Sequence, residues 1–292
     1  MAGLDPITGT TRVVGVIGWP VHHSLSPVIH NAAFAALGLD LVYVPMPVAP
    51  ERVAEAVAGL RALGVAGANV TMPHKEAVAE IVDERTSDAE VLRAVNTVVV
   101  QSEALVGHNT DAPGFERFLL DDLGVDAAGR HALVYGAGGA ARACVLTLAR
   151  MGAASVSVVV RSPERAEPAR MLAEDAGARF GVLAFDAVEV VEADLLVNAT
   201  PLGARGEELP LPRLGATTVG VDLLYRPTTT PLQRRIHDAG GSASGGLGLL
   251  LHQAALSFEL WTGQPAPLPV MSAAALAALA DDEGGPSAHP TG

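Results

Sequence analysis

Lysine is almost missing from this chain. Lysine and arginine together number 19 in 292 residues, and Lys75 is the one lysine. Cysteine is equally scarce: Cys144 stands alone, which excludes an internal disulfide framework and any cysteine-based metal cluster. Set among Ala and Leu, it reads as a small core residue. Aromatic residues make up only 4% of the chain, too few for a base-stacking platform or a sugar-binding tryptophan surface. Basic charge is short as well, and a net charge of -13 argues against nucleic acid or an anionic membrane as partner. The longest apolar runs are cut by Gly, Arg or Asn well before a membrane span, and the start does not read as a secretory leader. A cytoplasmic, globular protein of two domains is expected.

What is present centres on Asn69-Val-Thr-Met-Pro-His-Lys75. A plain cation here is supplied by Arg, so Lys75 must do what a guanidinium cannot, and an ammonium can give up its proton near neutral pH. Val65 to Val70 reads as a strand, and Pro73 suits the first turn of a following helix that carries Lys75. The positive end of that helix disfavours the ammonium form, which suits acid/base chemistry.

Arg12 to Gly18 is a short apolar run that reads as a buried strand. Ser26, Pro27 and Gly38 then fall as N-cap, first helical residue and C-terminal glycine. Ser26 is thus either a cap or a ligand-binding hydroxyl, whereas Ser24 has no capping role. The two hydroxyls together make a seat for a carboxylate. Leu41 to Met46 reads as a strand, Glu51 to Leu63 as a helix, and helical residues run from Pro73 to about Arg93 with a break near Thr86 and Ser87. Ala94 to Val100 reads as a strand holding Asn96, either a satisfied core amide or a binding group. Asp111 opens the next helix, either as its N-cap or as a functional carboxylate. The alternation implies a mainly parallel sheet covered by helices, with Asn69 and Thr71 at its binding edge.

In the second half, a strand from His131 to Tyr135 leads into Gly136-Ala137-Gly138-Gly139-Ala140-Ala141-Arg142 and a helix. This is the dinucleotide fingerprint in its strand-turn-helix setting, where glycines let the backbone approach a pyrophosphate. The next strand, Ser155 to Val160, ends without an acid and is followed by Arg161, Ser162 and Arg165, which suit a ribose 2'-phosphate and hence NADP. Strands at Asp194 to Val197 and Val219 to Leu224 end near Thr200 and Tyr225, where the nicotinamide half would reach. Gly245 and Gly246 hinge into a helix from Leu247 to Trp261, closed by Gly263 and carrying Gln253.

These segments, with Ser24-Leu-Ser-Pro-Val-Ile-His-Asn31, Asn109-Thr-Asp111 and Asn198-Ala-Thr-Pro-Leu-Gly203, together resemble the shikimate dehydrogenase family from about Val13 to Ala280. The resemblance implies an α/β protein: an N-terminal α/β substrate domain, a Rossmann-type doubly wound NADP-binding domain, and C-terminal helices returning to the substrate domain. The expected bounds are 1–111 with 247–281 for the substrate domain, 112–246 for the NADP domain, and 282–292 for a disordered tail. It implies NADPH-dependent reduction of 3-dehydroshikimate to shikimate, a step of chorismate and aromatic amino acid biosynthesis, by a monomer or homodimer that needs no metal. Lys75 and Asp111 are the implied catalytic pair. Ser24, Ser26 and Tyr225 would hold the substrate carboxylate, and Asn69, Thr71, Asn96 and Gln253 its ring hydroxyls. Gly136, Ala137, Gly138, Gly139, Ala140, Arg161, Ser162, Arg165, Thr200, Leu223 and Gly246 would hold the cofactor. Two residues depart from the family's common pattern: Val160 stands where Asn is usual and Leu249 where Met is usual. The alternatives are an NAD-using quinate/shikimate dehydrogenase and a dinucleotide-binding regulator without turnover.

Overall fold

The computed structural model describes residues 6–102, 104–190 and 192–284. In chain order its elements are β1 (Arg12–Gly18), α1 (Ser26–Ala36), β2 (Leu41–Pro47), α2 (Val53–Ala62), β3 (Gly67–Val70), α3 (Lys75–Ile81), β4 (Glu84–Arg85), α4 (Ser87–Leu92), β5 (Thr97–Gln101), β6 (Ala104–His108) and α5 (Asp111–Arg117). The second half follows with β7 (His131–Tyr135), α6 (Gly139–Arg150), β8 (Ser155–Val159), α7 (Glu167–Asp175), β9 (Arg179–Leu183), β10 (Leu195–Asn198), β11 (Val219–Asp222), α8 (Pro231–Asp238), β12 (Ser242–Ser244), α9 (Leu247–Thr262) and α10 (Leu268–Gly284).

The chain forms two compact units. The first comprises residues 1–86, 95–108 and 254–292, and the second 87–94 and 109–253. Residues 87–94, 109–111 and 247–253 therefore cluster with the second unit, although the sequence reading grouped them with the substrate domain. For α4 the reason is local: Leu92 joins an apolar cluster with Ala143 and Leu146 of α6, and Arg150 meets Asp88 at 2.6 Å. Helix α10 continues through Gly284, so residues 282–284 of the expected tail are helical, and residues 285–292 lie outside the described residues.

The sheet of the first unit has the order β2-β1-β3-β5-β6-β4. It is mainly parallel, as expected, with one reversal: β5 runs against both neighbours, pairing Asn69 with Thr97 and Thr97 with His108. That reversal has a functional consequence. β1, β3 and β6 end at one edge, and β5 begins there, so Gly18, Val70, Thr97 and His108 gather on the same side. The aromatic core lies where α1 meets the C-terminal helices: Phe34 stacks on Phe258 at 5.5 Å, and Trp261 Nε1 donates to Val98 O at 3.1 Å. Gly67 permits that approach, since a Cβ there would fall 2.3 Å from Trp261 Nε1.

The sheet of the second unit, β12-β11-β10-β7-β8-β9, is parallel in every pairing. Strand alternation builds a core on each face. Ala132 and Val134 enter a cluster with Cys144, Val145 and Leu148 of α6, whereas Leu133 and Tyr135 enter another with Leu232 and Ile236 of α8. Cys144 is a buried free thiol, as its apolar neighbours implied. Among the described residues, no helix is long and apolar enough to cross a membrane.

Candidate active site

Four segments of the first unit bring polar side chains to the shared sheet edge. Gly18 closes β1 against β3: a Cβ there would fall 2.4 Å from Thr71 Cγ2, so glycine leaves room for the threonine. Thr71 accepts the backbone N–H of His74 on its carbonyl at 3.0 Å, in the turn that carries the chain into α3. Lys75 is the first residue of α3, and His74 occupies the cap position; Pro73 precedes the helix rather than entering its first turn. The His74 ring donates through Nε2 to Val48 O at 2.7 Å, and Lys75 O accepts Val95 N–H at 2.9 Å. The backbone beneath the half-buried Lys75 is thus pinned from two directions.

The serines exchange their expected roles. Helix α1 starts at Ser26, so Leu25 sits at the cap position and Pro27 at the second helical residue. Ser24 Oγ accepts the Ser26 N–H at 3.2 Å, doing the work of a cap. The buried Ser26 hydroxyl turns to the Tyr43 phenol, leaving it part of an inner network.

Asn69 anchors that network. Its Nδ2 donates to Asn96 O at 3.2 Å, Thr97 Oγ1 at 3.0 Å and Ser257 Oγ at 2.9 Å, while its Oδ1 accepts from Tyr43 OH at 2.7 Å. Asn96 lies just before β5 rather than inside a strand, because the antiparallel strand begins at Thr97. Its backbone accepts Val70 N–H at 2.7 Å and donates to His108 O at 3.0 Å, and Thr97 Oγ1 bonds its Oδ1 at 3.1 Å. Leaving any one of these buried groups without a partner would cost about 1–3 kcal/mol. Beneath Tyr43 lies His30, wholly buried, stacked at 4.5 Å and 6° between ring planes. Burial pushes the His30 imidazole down to about 3, so it stays neutral, and its nitrogens have no hydrogen-bond partner.

The second unit supplies Asp111, Tyr225, Gln253 and every predicted cofactor residue. Asp111 is the first residue of α5 and not its cap. Asn109 Oδ1 accepts the N–H of Asp111 at 3.0 Å and of Ala112 at 3.4 Å, and Thr110 holds the cap position. Helix α5 lies tight against the start of α9: a Cβ on Gly114 would fall 2.9 Å from Gln253 N. The helices bearing Asp111 and Gln253 are thereby brought together, and His252 Nε2 bonds Asp122 Oδ1 at 3.1 Å on the same side. Tyr225 is half-buried, which raises its phenol, and Arg226 stands over its ring at 5.9 Å.

Gly136, Ala137, Gly138, Arg161, Ser162, Arg165 and Thr200 line one open cleft of about 460 Å³. Gly136 has φ +106°, a left-handed conformation that favours glycine, and turns the chain out of β7. A Cβ on Gly138 would meet nothing within 4 Å, so its backbone faces open space. Gly139 and Ala140 form the first turn of the twelve-residue α6, whose N–H groups lack helical partners and favour a bound anion. Arg161, Ser162 and Arg165 at the far wall offer charge-assisted donors. Phe185, absent from the sequence reading, also lines the cleft, with the Arg161 guanidinium 6.0 Å from its ring centre. No local motif singles it out; only the fold brings it beside Arg161. These groups fit a dinucleotide carrying an extra phosphate.

Leu223 and Gly246 lie outside that lining but connect to it through the strand ends beside Thr200. Thr200 Oγ1 and N–H both donate to Asn198 Oδ1, at 2.7 and 3.0 Å, and Asn198 Nδ2 donates to Asp222 Oδ1 at 2.9 Å. Asp222 also accepts Leu224 N–H at 3.1 Å; burial raises its carboxyl. Leu223 and Gly246 are in close contact, since a Cβ on Gly246 would fall 2.1 Å from Leu223 O.

Comparison with known proteins agrees with this arrangement. Residues 16–98 match the shikimate dehydrogenase substrate binding domain, and residues 246–276 match the shikimate 5'-dehydrogenase C-terminal domain. A shikimate dehydrogenase (NADP(+)) of Geobacter metallireducens is 46% identical over 285 residues, covering 94% of this chain and 99% of the relative. The crystal structure of shikimate 5-dehydrogenase from Thermus thermophilus in complex with NADP(H) and shikimate superposes with a TM-score of 0.81 at 37% identity, over 92% of this chain and all (100%) of that one. Quinate dehydrogenase from Corynebacterium glutamicum in complex with NAD shares the fold, with a TM-score of 0.84 at 28% identity over 91% of this chain and 99% of that one. Identity this high along almost the whole of both chains, with the fingerprint and the polar sheet edge in place, means that the chain belongs to the shikimate dehydrogenase family.

Proposed function

We propose that this protein is an NADP-dependent shikimate dehydrogenase, interconverting 3-dehydroshikimate and shikimate. The observation that carries the reading is 46% identity, across 99% of its length, to a relative named for that activity and cofactor. When bound, NADPH supplies a hydride to the ring ketone. Lys75 supplies the matching proton to the developing alkoxide, so ketone, hydride and proton balance to a secondary alcohol. Asp111 orients substrate and lysine. Ser24, Ser26 and Tyr225 take the carboxylate, and Asn69, Thr71, Asn96 and Gln253 take the ring hydroxyls. Arg161, Ser162 and Arg165 hold the 2'-phosphate, the glycines of 136–139 and Ala140 hold the pyrophosphate, and Thr200, Leu223 and Gly246 bound the nicotinamide side. What supports these roles is residue-by-residue agreement with the family's motifs, together with the hydrogen-bond networks and the lined cleft described above. A net charge of -13 supports a small-molecule substrate rather than nucleic acid or an anionic membrane as partner, and the reading places the protein in the cytoplasm as a monomer or homodimer.

The decisive experiment follows nicotinamide absorbance with 3-dehydroshikimate and NADPH, beside dehydroquinate and beside NADH. Fast turnover confined to the first pair is expected. Equal rates with dehydroquinate or NADH would move the protein to the quinate-using branch, and no turnover with any pair would refute the reading.

A further inference from the structure

We propose that Tyr43 is a positioning residue for the substrate: its hydroxyl holds Ser26 and Asn69 in one arrangement, so that Asn69 meets a ring hydroxyl only as a hydrogen-bond acceptor, through Oδ1. The inference rests on the proposed function and deepens it.

The orientation of the Asn69 amide is decided by its neighbours. Asn96 O, 3.2 Å away, is a carbonyl and can only accept, so the atom facing it is the amide nitrogen. That nitrogen has two hydrogens and three acceptors, the others being Thr97 Oγ1 at 3.0 Å and Ser257 Oγ at 2.9 Å. Its donating capacity is spent inside the protein. Oδ1 has two lone pairs, one of which takes the Tyr43 O–H at 2.7 Å. The second lone pair is what Asn69 has left for a ligand.

Tyr43 holds this state rigidly. Its ring is buried, stacked on His30 at 4.5 Å and tilted against Trp261 at 6.0 Å, so the phenol cannot swing. Because the Tyr43 proton goes to Asn69, its oxygen accepts from Ser26. In the free protein that bond fixes where Ser26 Oγ waits, and a substrate carboxylate then claims its proton by hydroxyl rotation, in exchange for the bond to Tyr43. One phenol therefore sets the spacing between a carboxylate contact and a ring-hydroxyl contact.

The test is Tyr43→Phe in the full chain, which removes one oxygen and keeps the ring. The KM for shikimate should rise about tenfold, the loss of roughly one well-made hydrogen bond, with kcat and the KM for NADP changing less than about twofold. Selectivity for shikimate over the deoxy analogue lacking the hydroxyl read by Asn69 should fall by a similar factor, while selectivity over the other deoxy analogues holds. A purely structural role would not move one selectivity alone. Should Tyr43→Phe not fold, Ser257→Ala combined with Thr97→Val decides the matter: it leaves Asn96 O as the acceptor for two Asn69 hydrogens, frees one N–H and should relax the same selectivity. A wild-type shikimate KM and unchanged selectivities in an active variant would overturn the positioning role. Wild-type protein that oxidises no shikimate would instead overturn the proposed function.

Discussion

The two units expose polar groups by opposite means. The first presents side chains, Ser26, Asn69 and Asn96, buried and tied to one another through Tyr43, Thr97 and Ser257. The second presents backbone at Gly136 to Gly138 in an open cleft, with charge added at its rim by Arg161 and Arg165. A small, densely hydroxylated substrate demands fixed hydrogen-bond polarity, which side chains acquire only when their other bonds are satisfied. A pyrophosphate demands many N–H groups at short range, which the backbone provides wherever side chains are missing. Substitutions should therefore act differently in the two units.

The largest effect should come from Lys75→Arg, which keeps charge and loses the transferable proton. We expect kcat to fall by about 10²–10⁴ with the KM for shikimate within a few-fold, measured by steady-state kinetics. Near-normal turnover would remove Lys75 from proton transfer. Next, Arg161→Ala combined with Arg165→Ala should raise the KM for NADPH by about 10–100-fold and leave that for NADH nearly unchanged. An equal loss with both cofactors would show that these arginines support the loop rather than read the phosphate.

A pair of glycine substitutions sharpens the comparison further. Gly246→Ala puts a methyl 2.1 Å from Leu223 O and should lower stability by about 1–3 kcal/mol or more, seen as a fall in the thermal midpoint. Gly138→Ala meets nothing within 4 Å and should leave the midpoint unchanged while weakening NADPH binding about tenfold in a titration. Equal behaviour of the two variants would contradict the backbone-cradle view.

The smallest effect at neutral pH should come from His30→Phe, which keeps the stack on Tyr43. In the folded state His30 stays neutral down to about 3, whereas unfolded it protonates below about 6.5. The unfolded chain thus binds the extra proton between those values, and stability drops as pH falls through that window, by up to several kcal/mol in total. Denaturant melts should show the variant losing this acid-side slope while matching wild type within about 1 kcal/mol at pH 7. An unchanged slope would place the acid sensitivity elsewhere.

Much of the fold was legible locally. Arg12–Gly18 and His131–Tyr135 form the strands their apolar runs implied, and Gly263, with φ +68°, ends α9 as expected. The fingerprint glycines and the Arg161, Ser162 and Arg165 trio fall on one cleft because strand, turn and helix are consecutive in sequence. Caps were less legible. Ser24 rather than Ser26, and Asn109 rather than Asp111, bond the first helical N–H groups, since neighbouring polar residues compete for that role with similar energies. Asn96 falls just outside the strand that its apolar neighbours predict, because an antiparallel entry at Thr97 leaves no local mark.

By itself, the sequence determined which residues are candidates for the chemistry: a single lysine, a dinucleotide turn and an arginine pair are covalent facts, and short-range spacing is enough to single them out. Only the tertiary structure decided how those groups are held. Tyr43, Asn69 and Ser257 meet across 26 and 188 residues of chain, and Arg161 meets Phe185 only through the strands that bring them together. Hydrogen-bond direction and burial depend on such long-range neighbours, and no local pattern encodes them.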